Sequence, residues 1–101
     1  MHENVNKITN KLKEETLLEQ AAEEATEFAQ ACLKYARKLR AENPTPKTKQ
    51  ECLDDLVEET ADITLSISSL VEKGIMSYES IDSISVKKEE RWLERLSNTK
   101  K

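Results

Sequence analysis

Four carboxylates occupy equivalent positions in two similar segments of the chain: Glu24, Glu27, Glu59 and Asp62. The first segment, LEQAAEEATEF, begins at Leu18, and the second, LDDLVEETADI, begins at Leu53. In each, a Glu-Glu pair is followed by two small residues and then an acid. On a helix, which turns by about 100° per residue, residues three apart are neighbours on one surface. We therefore expect each segment to present two acids beside its apolar stripe, and two packed helices to bring all four together.

Four acids in one place would repel one another strongly unless a cation neutralised them. Hard divalent cations such as Mg²⁺ prefer carboxylate oxygens and keep positions open for water or phosphate. The pattern thus predicts a site for Mg²⁺, or for Mn²⁺ in its place, with these four side chains as candidate ligands. A solvated helix face is the competing interpretation, because single pairs of acids three apart are common in a chain with 36% charged residues. Glu23 and Glu58 point away from the stripes, so we expect them to have at most an outer role.

Other chemistries lack the residues that they need. The single glycine, Gly74, excludes a Gly-rich phosphate loop. The only histidine, His2, leaves Ser-His-Asp and Cys-His catalysis and histidine-based metal sites without their central residue. The formal net charge of −4 disfavours binding to a nucleic-acid polymer. No apolar run approaches the roughly 20 residues of a membrane span, and no signal-peptide core is present. We therefore expect no membrane partner and a cytoplasmic protein, with Cys32 and Cys52 as free thiols.

Helices must position the acids, because helix signals are clear and strand signals are few. We predict a single domain over residues 1–101 with four helices, at about 3–14, 17–41, 49–73 and 78–96. The capping-box pattern, Ser or Thr followed three residues later by Glu, occurs at Thr16 and at Thr48. Prolines in the segment Asn43–Pro46 would end the second helix, and Gly74 suits the C-terminal end of the third. Ser77 is the candidate cap of the last helix.

Apolar residues form a stripe on each long helix. On the second helix the stripe consists of Leu18, Ala21, Ala25, Phe28, Cys32, Tyr35 and Leu39. On the third helix it consists of Leu53, Leu56, Ile63, Ile67 and Leu70. Long helices with narrow stripes pack as antiparallel bundles, so we predict an all-α subunit of the four-helix-bundle type. Because only 37% of the residues are apolar, we also expect a homo-oligomer, a dimer or a tetramer, that buries part of each stripe.

Three cations recur at helical spacing on the last helix: Lys88, Arg91 and Arg95. They lie on one flank of a stripe that contains Ile81 and Trp92. Because Arg binds phosphate through two parallel hydrogen bonds, these residues are candidates for neutralising substrate phosphates. A solvated basic face, paired with neighbouring Glu residues, is the alternative interpretation.

The order of these motifs resembles that of the MazG-like, all-α nucleoside triphosphate pyrophosphohydrolases. The resemblance rests on the acids of LLEQAAEEATEFAQACLKYARKLRAENPT and of LVEETADITLSI, and it covers most of residues 17–70. The closing VKKEERWLERL is similar to the basic C-terminal helix of that family. The chain departs from the compact members in the interval between Glu27 and Glu59, which is longer by the segment ARKLRAENPTPKT.

The resemblance implies Mg²⁺-dependent hydrolysis of a nucleoside or deoxynucleoside triphosphate between its α- and β-phosphates, giving a monophosphate and pyrophosphate. Under it, Glu24, Glu27, Glu59 and Asp62 would hold Mg²⁺, or one of them would instead act as the general base. Cations of the last helix would offset the charge of the phosphate chain. Deoxypyrimidine nucleotides and damaged or non-standard nucleotides are the candidate substrates, the latter in a house-cleaning role.

Two other classes of protein use acidic helical bundles. A non-enzymatic interaction or oligomerisation module would carry the acids as a solvated face, and it predicts neither metal-dependent stabilisation nor nucleotide hydrolysis. A di-iron carboxylate bundle uses inward acids, but its Glu-x-x-His pairs cannot be built with His2 alone. The interaction module therefore stays as the alternative.

Overall fold

The computed structural model describes residues 2–41 and 46–99. Within these ranges the chain forms helices and no strands, which confirms the predicted all-α class. The helices are α1 (His2–Lys11), α2 (Glu14–Leu39), α3 (Lys49–Glu72) and α4 (Tyr78–Thr99). The predicted proline stop after α2 falls mostly on residues 43–45, outside the described part of the chain.

Hydrogen bonds at both ends of α3 fix the position of this helix along the chain. Thr48 Oγ1 accepts from the Glu51 backbone N–H at 3.1 Å, and the Thr48 N–H donates to the Glu51 carboxylate at 2.8 Å. The capping box predicted there is therefore confirmed. At the other end, Gly74 has a φ of 86°, in the left-handed region that glycine adopts without steric cost.

The start of α2 differs from the prediction. This helix begins at Glu14, and its N-cap, Lys13, makes no side-chain cap bond, so the capping box predicted at Thr16 is wrong. Glu14 and Glu15 occupy the first turn instead. Negative charge is favourable there because the N-terminal end of the helix dipole is positive. Charge therefore takes the place of the side-chain cap, and Thr16 lies inside the helix.

The main contact of the fold joins α2 to α3, and α1 adds a smaller contact with α3. The buried residues of these two long helices are Leu17, Ala31, Cys52, Ser66, Ser69 and Leu70. Along α2 the covered face passes from Leu17 through half-buried Glu24 to Ala31, with two helical turns between neighbours. Leu18 and Leu39, which the sequence predicts to be in the stripe, are exposed. The face of α2 that contacts the rest of the fold is therefore centred on Glu24, whereas the sequence predicts Glu24 on the flank of that face.

The helix α1 closes one end of the α2/α3 pair. Val5 and Thr9 are buried, each only 3% exposed. The Lys73 ammonium, at the end of α3, donates to the Thr9 carbonyl oxygen at 2.7 Å and ties the two helices together. Leu12 follows α1 and remains partly exposed. As a result, α1 forms a wall beside the C-terminal half of α3.

The helix α4 packs extensively against none of the other three in the described residues. None of its described side chains is buried, and Trp92 and Leu93 are 64% and 66% exposed. Its start is anchored locally: Ser77 Oγ accepts from the Ser80 N–H at 3.2 Å, which confirms the predicted cap. The apolar side of α4 is therefore uncovered within a single chain.

Two further observations concern thiols and membranes. Cys32 is half-buried, Cys52 is buried, and both are free, as expected.

No helix in the described ranges has the length and apolar character that a membrane span requires.

Candidate metal centre

Two acids of α2 meet one acid of α3 at the centre of the main helix contact. Glu24 and Glu27 come from α2 and Glu59 from α3, and one carboxylate oxygen of each lies within 4.8 Å of the others. The pair on α2 is adjacent because three residues make nearly one helical turn. Glu59 reaches it because Glu24 and Glu59 are half-buried between the two helices, and Glu27 lies at the exposed edge of this contact. We call these three residues the acid triad.

Two oxygens of the acid triad are buried without a hydrogen-bond partner, Glu24 Oε2 and Glu59 Oε2. The other oxygen of Glu24 accepts a hydrogen bond from the Gln20 amide at 3.0 Å. A buried carboxylate oxygen without a partner is costly and rare in folded proteins. Both atoms therefore have an unused capacity to bind a proton donor or a cation.

The electrostatics of the acid triad disfavour its negative charges. Burial away from water raises the pKa of Glu24, and the charges of Glu27 and Asp62 raise it further. The pKa of Glu59 is also raised, first by burial and then by the charges of the three neighbouring acids. Such groups hold protons more tightly than exposed acids, and a bound cation relieves the same repulsion.

Asp62 stands beside the acid triad rather than within it. Its carboxyl group faces that of Glu24, and both residues line the same cavity between α1, α2 and α3. The four acids singled out in the sequence therefore lie in one region, with three of them in closest mutual reach. Glu23 and Glu58 are exposed, in keeping with the expected outer position.

Among the cavities lined by described residues, two border the four acids. The first, which we call the apolar cavity, adjoins Glu24 and Asp62, and its other lining residues are Ile8, Leu12, Leu17, Gln20, Leu65, Ser66 and Ser69. The second, which we call the basic cavity because it contains two lysines, adjoins Glu27 and Glu59, and its other lining residues are Gln30, Ala31, Lys34, Lys47 and Asp55. The acids are thus reached from two sides of different chemical character.

Sequence reasoning missed the cations of the basic cavity. Lys34 lies two helical turns after Glu27, so the spacing alone would have placed it on the same face of α2. Lys47 directly precedes the cap of α3, and its ammonium forms an ion pair with Asp55. The hydrogen bond to Asp55 and the negative charge of that carboxylate raise the pKa of Lys47. No local spacing indicates this pair, because Lys47 lies in the segment between the helices.

The cations that the sequence suggested for phosphate lie elsewhere. Lys88, Arg91 and Arg95 are exposed residues of α4, and they line neither the apolar nor the basic cavity. Their contact with a substrate stays a prediction.

Comparisons with models of protein families, with curated proteins and with solved structures find no match to this chain. The geometry and charge of the acids are therefore the basis for inferring its function.

Proposed function

We propose that this protein is a Mg²⁺-dependent, MazG-like nucleoside triphosphate pyrophosphohydrolase of the cytoplasm. It would hydrolyse a nucleoside or deoxynucleoside triphosphate to the monophosphate and pyrophosphate. The observation that carries the proposal is the acid triad, in which one carboxylate oxygen from each residue lies within 4.8 Å of the others. Glu24 and Glu59 each also have one buried oxygen without a hydrogen-bond partner. Glu24 and Glu59 are half-buried and Glu27 is exposed, and a solvated acidic face gives no reason for the two unpartnered oxygens to be buried.

The donor set suits Mg²⁺, and Mn²⁺ is the alternative ion. Glu24, Glu27 and Glu59 offer carboxylate oxygens, and Asp62 offers a fourth carboxylate beside Glu24. Hard divalent cations favour such oxygens over nitrogen or sulfur. When bound, the ion would screen the phosphate charge and lower the pKa of the attacking water.

The acids also supply the proton acceptor that hydrolysis needs. One carboxylate takes a proton from water while the water oxygen forms a bond to the α-phosphorus. The bond between the α-phosphorus and the oxygen that bridges it to the β-phosphorus breaks, and pyrophosphate leaves. Burial and the charges of neighbouring acids raise the pKa values of Glu24 and Glu59, and a carboxylate with a raised pKa is a stronger base. No covalent nucleophile is required.

The catalytic unit in this proposal is a homo-oligomer, a dimer or a tetramer, built around antiparallel α2 and α3. The radius of gyration is 17.2 Å, against roughly 13 Å for a compact domain of this length. The larger value agrees with the lack of extensive packing between α4 and the other described helices, which leaves the apolar side of α4 uncovered in one chain. A second copy would cover Trp92 and Leu93, and it could bring the cations of α4 to a substrate.

The uncovered α4 also favours a second candidate function, a non-enzymatic interaction or oligomerisation module. Exposed Trp and Leu side chains on one helix are typical of a surface that binds another protein. In that case the acids would have no catalytic role.

One assay separates the two candidates. A panel of nucleoside and deoxynucleoside triphosphates is incubated with Mg²⁺ and the native chain, and released pyrophosphate is measured. We expect release that is lost in Glu59→Gln and in Asp62→Asn and retained in Glu58→Gln. Absence of pyrophosphate from every nucleotide would favour the interaction module.

A further inference from the structure

The basic cavity has the charges that a phosphate chain requires, but only together with a divalent cation. Lys34 and Lys47 face three carboxylates there, those of Glu27, Asp55 and Glu59, which leaves a net charge of −1. A polyanion would be repelled from this cavity as it stands. One divalent cation on the acid triad changes the net charge to +1. Binding of phosphate in this cavity is therefore coupled to binding of the cation.

Lys47 has a charged partner on α3, and its backbone lies next to a fixed helix start. Its ammonium is paired with Asp55 on α3. Its backbone directly precedes Thr48, whose capping box with Glu51 fixes the start of α3. Lys34 belongs to α2 and lines the same cavity. The two cations therefore come from different elements and converge on one cavity beside Glu27 and Glu59.

The apolar cavity offers the opposite chemistry on the other side of the acids. Ile8, Leu12 and Leu17 supply apolar surface, while Gln20 and Ser66 supply a few polar atoms. A mostly apolar wall with few polar groups is the usual lining for a planar, uncharged ligand part. A nucleoside fits this description, and a phosphate chain does not.

Each of the two cavities is small for a nucleoside triphosphate. They measure about 220 Å³ on the apolar side and about 320 Å³ on the basic side. Ligand pockets typically span roughly 300–1,000 Å³, so each cavity alone is below or at the lower end of that range. Together, with the acids between them, they fall well inside it.

We infer, on the basis of the proposed function, that the substrate binds across the four acids in a single orientation. Its terminal phosphates bind Lys34 and Lys47 in the basic cavity, and its nucleoside enters the apolar cavity. The bond to be broken then lies between them, beside Glu24, Glu27 and Glu59. Pyrophosphate leaves from the Lys34 side, so these two lysines determine its affinity.

Calorimetric titration of inorganic pyrophosphate into the full chain with Mg²⁺ tests this inference. We expect Lys34→Met and Lys47→Met each to weaken binding roughly tenfold, because each removes one charged contact but keeps most of the side-chain volume. The matched control is Lys49→Met, which removes an exposed cation outside both cavities and should leave the affinity unchanged. Without Mg²⁺, native affinity should also fall at least tenfold.

Asp55→Asn distinguishes phosphate binding from a structural role of the ion pair. If Lys47 binds phosphate, removing the Asp55 charge should tighten pyrophosphate binding, because one of three competing carboxylates is lost. If Lys47 only holds the start of α3, Asp55→Asn should weaken binding as Lys47→Met does, and that result overturns the inference for Lys47.

The apolar cavity has a complementary test with dAMP, dCMP, dGMP and dTMP. Leu12→Ala should weaken the best-bound monophosphate roughly tenfold and leave pyrophosphate affinity unchanged. The reverse pattern would overturn the proposed direction. If the native chain hydrolyses triphosphates but both lysine variants bind pyrophosphate normally, only this inference fails. If it hydrolyses none, the proposed function fails as well.

Discussion

The sharpest test of the acid triad is to remove one buried charge without changing side-chain volume. Glu59→Gln does this, because the amide is nearly isosteric with the carboxylate. The Glu59 carboxylate has a raised pKa and an unpartnered buried oxygen. In the metal-free protein, the neutral amide removes repulsion and can donate to a neighbouring carboxylate. We therefore expect this variant to melt at a higher temperature than the native chain when no metal is present.

Added Mg²⁺ should reverse that order. A ligand present at 100 times its Kd stabilises the folded state by about 2.7 kcal/mol. In a domain of about 100 residues, each kcal/mol shifts the Tm by about 4–8 °C. The native chain should therefore gain roughly 10–20 °C, while Glu59→Gln should gain little. The two melting curves are expected to cross as the Mg²⁺ concentration rises.

Thermal unfolding followed by circular dichroism, at one fixed protein concentration, measures this crossing. Glu58→Gln is the matched control, because it makes the same change at the adjacent, exposed position. By the same reasoning, Asp62→Asn should lose most of the Mg²⁺ effect, whereas Glu23→Gln should keep it. Equal losses in both of those variants would show that the wrong helix faces have been assigned. A native Tm that does not respond to Mg²⁺ or Mn²⁺ would refute the metal site.

Three further predictions concern pH, assembly and phosphate binding. The pKa values of Glu24 and Glu59 are raised in the folded state, so the free energy of unfolding of the metal-free protein, measured in urea, should fall as the pH rises above about 4.5. The variant with Gln at both positions should show a weaker dependence of this free energy on pH. Covering Trp92 in an oligomer would bury roughly 150 Å² per chain, which stabilises the assembly by about 4 kcal/mol. Light scattering should therefore show that Trp92→Ala dissociates the oligomer. A stable native monomer at micromolar concentration would contradict assembly. In calorimetric titrations, Arg91→Ala and Arg95→Ala should weaken binding of a non-hydrolysable triphosphate more than binding of a monophosphate, and Mg²⁺ binding should not change. Replacing either Arg by Lys instead should restore only part of the affinity. Unchanged affinity in both Ala variants would leave these residues as a solvated face.

Local chemistry explains which features of the fold could be predicted. The ends of α3 are determined by residues adjacent in sequence, Thr48 with Glu51 and then Gly74, so the pattern alone places them. The acid pair on α2 follows from the helical repeat in the same way. The meeting of Glu24 and Glu59 was predicted because the two segments are alike.

The remaining differences come from interactions that local spacing does not contain. The face of α2 that is covered depends on what α3 presents to it, and the choice of Leu17 over Leu18 is made by that contact. The start of α2 depends on competition between a Thr cap and the charges of Glu14 and Glu15. Lys47 lines one cavity with Glu27 and Glu59 but lies in the segment before α3, so no helical repeat could indicate it.

The energetic cost of the acid triad is the strongest reason to prefer a cation-binding function over a solvated face. If the acids served only to keep the surface soluble, Glu24 and Glu59 would gain nothing from a position where burial and repulsion disfavour their charges. The same helices expose Glu23 and Glu58 one residue earlier, about 100° around each helix, so water-exposed positions for these charges exist next in sequence. Local violations of packing and charge rules are expected at functional sites, where a ligand offsets them. A divalent cation held by the proposed site would offset this one, because it would supply positive charge where the carboxylate oxygens of three acids lie within 4.8 Å of one another.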